Sequence, residues 1–329
     1  MRVSTGSSTL VRALRPAPVT QFGIYRVSEE IGDGSGLASV HRAIDTTTGT
    51  PIALKRLRPQ FAADQELLSV FLAEGQLGSQ LHHEHVQQTI AYGKLDGTYF
   101  IAMELVIGPT LSQVMKQSAS AAGAIPVAIV IELLLQLCSA LEHLHTRPVR
   151  IIHRDVSPAN ILLSNTGRVK LTNLATAKTA QSRVSTGHGI IKGTLGYVAP
   201  EYTFGRLDTR ADLFAIGVIA HELLAGGPLF GTAKDYATMW RVREKPIQPP
   251  SRWNPQVSRD LDDIVLTALQ RDPERRWQNA GALRFALTAL ADRSIDAQLI
   301  RDWAEWAFSK RPHRETVLVK TLNELARID

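Results

Sequence analysis

Apolar and polar positions alternate in short strand-like runs near the start of the chain and shift to helical spacing further along. Tyr25–Glu30, Ala38–Ile44 and Pro51–Leu57 read as strands, joined by the turn signals Gly32-Asp33-Gly34-Ser35-Gly36 and Thr48-Gly49. From Asp64 to Leu81 the spacing is helical, with Leu67, Leu68, Phe71, Leu72 and Leu77 forming one apolar stripe. Gly93–Gly97 and Tyr99–Met103 return to strand character around a turn. The pattern predicts a small α+β lobe.

Beyond Gly108 the apolar spacing is mostly helical, over Ile125–Leu144, Ala211–Leu224, Ser258–Leu269 and Ala280–Ala291. Ile161–Thr172 is the exception, two short β runs about the Asn165-Thr166-Gly167 turn. Two further periodic runs follow, Ile295–Arg311 with Leu299, Trp303 and Trp306, and Val317–Ile328. They either pack back on the larger lobe or form a partner-docking face. Packing is expected, because exposed tryptophans are costly. The chain thus divides into a flexible tail (1–21), a two-lobed domain (22–293, lobes 22–104 and 109–293) and a C-terminal helical extension (294–329).

Composition narrows the function classes. With 329 residues, 44% of them hydrophobic, the chain can bury a large core. A net charge of +6, spread along the chain, does not argue for a nucleic-acid partner. Cys138 is the only cysteine, so no intrachain disulfide forms, which suits a reducing compartment. The most apolar segment, Ile125–Leu144, is interrupted by Pro126, Glu132, Gln136 and Glu142. It reads as a core helix rather than a membrane span, and a cytoplasmic location is expected. Met1–Thr20 holds no acid and reads as a disordered tail rather than a cleaved presequence.

Candidate chemistry sits in a few ordered motifs. Lys55 ends Ile52-Ala53-Leu54-Lys55, and Glu74 follows on the next helix. Asp155 and Asn160 lie in Ile151-Ile152-His153-Arg154-Asp155-Val156-Ser157-Pro158-Ala159-Asn160. Lys170-Leu171-Thr172-Asn173-Leu174-Ala175, Tyr197-Val198-Ala199-Pro200-Glu201, Asp212 and Arg276 complete the series. In order and spacing these segments resemble the protein-kinase family from about Phe22 to Ala291, and most of all bacterial serine/threonine kinases of the eukaryotic type.

The resemblance implies a bilobal protein-kinase-like fold of class α+β, a β-rich N-lobe and a larger helical C-lobe, acting on a protein substrate or a regulated partner protein. It implies ATP as cofactor, with Mg²⁺ held weakly or at a single site. Asp155 would be the catalytic base, with Lys55 on the phosphates and Glu74 its ion-pair partner. The nucleotide would meet Ile31, Gly32, Gly34, Gly36, Val40, Ala53, Lys55, Met103, Glu104, Val106, Asn160 and Leu162. The hinge would be Glu104–Gly108, with backbone groups of Glu104 and Val106 reading the adenine edge. The family loop G-x-G-x-x-G-x-V fits only imperfectly. Either the loop holds one extra residue or its glycines are displaced. His153 would pack, Arg154 would await a phosphate or carboxylate, Asp212 would hold the catalytic-loop backbone, and Arg276 would pair with Glu201.

The departure from the family lies at the metal. Asn173-Leu174-Ala175 stands where the family carries Asp-Phe-Gly, so Asn160 remains as metal ligand and Asn173 only as a weak one. A neutral amide gives up a full negative charge beside a hard cation, and Ala175 lacks glycine's access to positive φ. Val156 through Pro200 holds no acid, whereas Arg168, Lys170, Lys178, Arg183 and Lys192 are basic. Asp33 is the best candidate for a compensating carboxylate. Ser157 replaces the lysine many serine/threonine kinases carry there. Thr179, Ser182, Ser185 and Thr186 are candidate phosphorylation sites near Arg154. His82, His83, Glu84 and His85 read as a turn rather than a metal site, since adjacent histidines diverge. Three functions remain: a pseudokinase, a slow serine/threonine kinase, and a plain interaction module.

Overall fold

The computed structural model describes residues 19–32, 34–121, 125–179, 194–204, 207–231, 236–292 and 295–308. Most of the expected N-terminal tail, the Val317–Ile328 run, Asp33, Arg183, Lys192 and the candidate sites Ser182, Ser185 and Thr186 lie outside the described residues.

Six antiparallel strands form the first lobe: β1 (Thr20–Phe22), β2 (Tyr25–Gly32), β3 (Ala38–Asp45), β4 (Pro51–Leu57), β5 (Thr89–Leu95) and β6 (Thr98–Glu104), in the order β1-β2-β3-β4-β6-β5. β1 was not expected; it begins inside the segment read as tail. β5 starts earlier than the sequence suggests, because alternation is weak across Thr89–Gly93. Asp96 and Gly97, both at positive φ, close the β5–β6 turn. Helix α1 (Gln65–Ser79) crosses between β4 and β5, capped by Asp64, whose carboxylate accepts from the Glu66 and Leu67 N–H groups.

Strand alternation decides what faces the cleft. Ile52 and Leu54 point into an apolar cluster with Tyr25, Val27, Phe100 and Ala102. Ala53 and Lys55 therefore emerge on the opposite face, toward α1. Two glycines let α1 approach the sheet: a Cβ on Gly75 would lie 2.7 Å from Tyr92, and one on Gly78 2.2 Å from the Thr89 hydroxyl.

The second lobe is helical. Its α-helices are α2 (Leu111–Ala121), α3 (Val127–His145), α4 (Arg210–Ala225), α5 (Tyr236–Glu244), α6 (Arg259–Ala268), α7 (Ala280–Thr288) and α8 (Ala297–Phe308). Short pairs β7 (Ile151–Ile152) with β10 (Lys178–Thr179), and β8 (Ile161–Leu163) with β9 (Val169–Leu171), carry the catalytic-loop motif and its sequel. Helix α3 is long and apolar enough to cross a membrane by length and composition. Here its leucines, isoleucines and Cys138 are spent in the lobe's core, and burial pushes the Cys138 thiol up to about 12. Helices α2 and α5 were missed in the sequence because both are short and polar on one side. In the described part of the extension, Ile300 and Trp303 of α8 are each 1% exposed within the same core.

His82, His83 and His85 lie in the turn after α1, and the His83 ring stacks on His143 at 4.9 Å with His85 edge-on at 5.6 Å. Burial, then repulsion from His85, holds His83 below the ordinary 6.5; burial, then repulsion from His83, does the same to His143, and burial leads at His85 and His221. Unfolding frees these rings to take up protons that the fold resists. Stability is therefore fully present above about pH 6.5 and declines as pH falls from there. Thermal melts between pH 7.5 and 5 should show this decline, and His143→Gln should flatten it. A melting temperature that rises toward pH 5 would contradict it.

Candidate functional site

Between the lobes lies a cavity of about 840 Å³. Its roof is Ile31, Gly32, Gly34, Val40 and Ala53 from the sheet. Its back holds Lys55 and Glu74, and its floor Asn160, Leu162 and Asn173. Met103 and Val106 line the connecting edge. Gly36 and Glu104, both expected here, do not line it. Gly36 sits at the outer bend of the loop, with nothing within 4 Å of where its Cβ would be. Glu104 is turned to the protein: its N–H donates to the Gln88 carbonyl, its own carbonyl accepts from Gln87 Nε2 at 3.0 Å, and its carboxylate pairs with Lys170 at 2.6 Å.

The glycine loop has one extra residue. Gly32 faces Val40 across β2 and β3, a span one residue longer than the motif allows. Gly34 adopts φ +51°, and its Cβ would meet Ala38 at 2.9 Å and the Lys55 stem at 3.5 Å. The loop thus lies directly over Lys55. Lys55 Nζ reaches both Glu74 oxygens at 2.7 Å, and each side chain is 7% exposed. A desolvated pair of this kind fixes α1 against the sheet and aims an ammonium into the cleft.

The catalytic-loop motif is held from below. Asp212 of α4 is 1% exposed and accepts from the His153 and Arg154 N–H groups at 2.8 and 2.9 Å and from His145 at 2.9 Å. Burial alone would push its carboxyl up; the His145 hydrogen bond and charge, His153 and the Arg154 amide outweigh this and hold it below the usual range. His153 is fully buried and also contacts the Thr172 carbonyl at 3.0 Å. Arg154, at φ 69°, lays its guanidinium over the Tyr202 ring at 5.4 Å and donates to the Tyr202 hydroxyl at 2.8 Å. Its Nε is buried without a hydrogen-bond partner among the described residues.

Asp155 is oriented from two sides. Asn160 Nδ2 donates to its carbonyl at 2.9 Å and to Oδ2 at 2.8 Å. Thr194 donates to Oδ1 through its N–H at 3.0 Å, with its hydroxyl at 3.2 Å. Buried Ser157 adds a 3.5 Å contact to that hydroxyl. Donors thus fix both carboxylate oxygens, and Asp155 lies beside Thr194 and Tyr197 rather than in the lining of the 840 Å³ cavity.

Asn160 donates through Nδ2, so its Oδ1 must face the other way, toward Asn173. There it accepts from Asn173 Nδ2 at 3.2 Å. The oxygen a cation would take is thus already satisfied by an amide N–H. Among the described residues no group of three or more His, Cys, Asp or Glu side chains could hold a metal ion. Two neutral amides thus stand where the family places its metal ligands, and an amide oxygen is a poorer partner for Mg²⁺ than a carboxylate. Asn173 adopts φ 64°, a left-handed conformation asparagine tolerates. Ala175, by contrast, sits in a 3₁₀ turn (Leu174–Thr176) without positive φ, so the expected need for glycine does not arise. Leu174 is 7% exposed and packs 3.6 Å from where a Cβ on Gly78 of α1 would stand.

Further down, Arg276 closes on Glu201 through two parallel bonds of 2.8 and 3.0 Å, with the arginine side chain wholly buried. Some lining residues were not read from the sequence. Gln87 carried no motif, and Thr110 and Gln113 begin the overlooked α2. Arg301, Ala304 and Glu305 of α8 stand more than 190 residues beyond the hinge, and no local signal could have placed them at the cavity.

The comparisons give the family and the fold. A model of the protein kinase domain matches residues 25–286. The chain is 32% identical over 259 residues to the serine/threonine-protein kinase PrkC of Bacillus subtilis (strain 168), covering 78% of this chain and 39% of that protein. It is 34% identical over 270 residues to the serine/threonine-protein kinase PknB of Mycobacterium leprae (strain TN), covering 80% of this chain and 42% of that protein. The chain thus spans about two fifths of the length of these curated relatives. Among solved structures, the Mycobacterium tuberculosis PknI kinase domain superimposes with a TM-score of 0.63 at 27% identity, over 84% of this chain and 100% of that one.

Proposed function

The chain belongs to the protein kinase family, and from that premise we propose that it binds ATP in the interlobe cavity but transfers the γ-phosphate poorly, acting chiefly as a pseudokinase that regulates a partner protein. The observation that carries this reading is the 3.2 Å Asn173–Asn160 contact, an N–H where the family's metal aspartate would stand. Kinases in general use ATP and Mg²⁺, and the metals neutralise charge that develops on the phosphoryl oxygens. In this chain the residues left to act are Lys55, positioned by Glu74 for the phosphates, and Asp155, positioned by Asn160 and Thr194 to accept a hydroxyl proton. Ala53 and Leu162 would sandwich the base, with Val106 at its edge.

A second reading is favoured by the intact Lys55–Glu74 pair and the ordered Asp155: a slow kinase that phosphorylates serine or threonine, as the names of PrkC and PknB state for those proteins. One assay separates the two. Radiolabelled transfer from Mg-ATP to a generic Ser/Thr substrate should run at least ~100-fold below the roughly 1–100 s⁻¹ of ordinary kinases, while ATP without metal still raises the melting temperature. Ordinary turnover that Asp155→Asn abolishes would establish the second reading instead.

A further inference from the structure

Helix α8 lies beyond the segment shared with the kinase-domain model, which ends at residue 286. It is nonetheless built into the fold. Ile300, Trp303 and Ala304 are 1%, 1% and 4% exposed, packed among the core residues of the helical lobe. The β8–β9 turn meets its first residue backbone to backbone. Gly167, at φ +73°, would place a Cβ 1.7 Å from the Ala297 carbonyl oxygen, so only glycine fits there.

The next face of the helix reaches the cavity. Arg301, Ala304 and Glu305 stand at positions i, i+3 and i+4, hence on one side of α8, and all three line the cavity with Thr110, Gln113 and Asn165. The base end of that cavity is fixed by Ala53, Leu162 and Val106, and the phosphate end by Lys55. Thr110 and Gln113 line the same cavity beside the connecting edge, and α8 packs against the α2 helix that follows Thr110. Glu305 makes no hydrogen bond or ion pair to any other described residue. Its carboxylate is an acceptor without a donor, and a vicinal diol offers two. Arg301 one turn earlier offsets a negative group facing an anionic nucleotide.

We propose that α8 is the sugar wall of the nucleotide site, with Glu305 accepting from the ribose 2′- and 3′-hydroxyls. The inference rests on the nucleotide reading and adds to it a residue outside the family's shared segment. It is tested by titrating the full chain with ATP and with 2′,3′-dideoxy-ATP, without metal, by calorimetry. The wild type should favour ATP by about tenfold or more, the loss of one good charge-assisted hydrogen bond. Glu305→Ala, an exposed helical position that leaves the fold intact, should bring the two affinities within about twofold. Glu305→Gln, which keeps an acceptor oxygen but loses the charge, should show a preference between those of the wild type and Glu305→Ala. ATP binding that ignores the sugar hydroxyls and both variants overturns this inference alone. A wild type that binds no ATP overturns the nucleotide reading and this inference with it.

Discussion

Asn173→Asp is expected to raise Mg-ATP-dependent phosphotransfer by about 10²–10³-fold, the range that a single well-placed electrostatic group contributes in a dry site. The substitution changes one atom and no shape. Aspartate tolerates the φ of 64° that Asn173 adopts, so the backbone stays where it is. What changes is the partner of Asn160 Oδ1. In the wild type it accepts an N–H at 3.2 Å; in the variant it faces a carboxylate oxygen, and two acceptors at that distance repel unless a cation lies between them. A site closed by an amide becomes one that wants Mg²⁺. The same argument gives a readout independent of activity. In chelator the variant should melt below the wild type, and Mg²⁺ should restore it, whereas the wild type should ignore the metal. If the variant gains Mg²⁺-dependent stability but no rate, the missing charge is not what limits transfer. The defect would then lie elsewhere, for example in Ser157 or the lengthened glycine loop.

Arg276→Ala should destabilise the protein by roughly 3–5 kcal/mol, the usual cost of removing one partner from a buried ion pair. At about 2–4 °C per kcal/mol for a domain of this size, the melting temperature should drop by roughly 6–20 °C. The number is large because Arg276 does several jobs from a fully buried position. It forks onto Glu201, donates to the Gln270, Arg210 and Arg271 carbonyls, and lies 5.2 Å from the Phe214 ring centre. Removing it strands the Glu201 carboxylate, which is only 12% exposed. The double variant Arg276→Met with Glu201→Gln should therefore recover part of the loss, since no unpaired charge is left behind. The Arg168–Glu84 pair is a useful contrast: it is shorter, at 2.6 Å, but half exposed on both sides, and Arg168→Ala should be close to neutral. Equal costs at the two sites would mean that burial does not govern these pairs.

Much of the candidate site was legible because its signals are local. A period of two places Ala53 and Lys55 on the face opposite Ile52 and Leu54, and the helical stripe of α1 leaves Glu74 near the end of that strand. The Arg276–Glu201 pair and the Asp212 anchor followed from motif spacing carried by the family resemblance, and both contacts form. The misreadings share a cause. Glu104 was expected to offer its backbone to a ligand, yet Gln87 and Gln88, just before β5, take its carbonyl and N–H. Arg154, expected to await an anion, also donates to Tyr202 through one of its nitrogens. In each case the deciding partner comes from another segment of the chain.

By itself the sequence determined the two lobes, most of their longer elements and the identity of the charges that enter the cleft, since propensity and periodicity act within a turn or a strand. It also fixed the substitution at residue 173, a matter of composition that no packing can reverse. Only the tertiary structure decided whether the glycine loop was longer or merely displaced, because that depends on the cross-strand register of Gly32 and Val40. Only it brought α8 to the cavity, where Gly167 and Ala297 touch across 130 residues of chain. Contacts at such separation are set by how apolar faces fit against one another, and that fit is a property of the assembled surfaces rather than of any one stretch of residues.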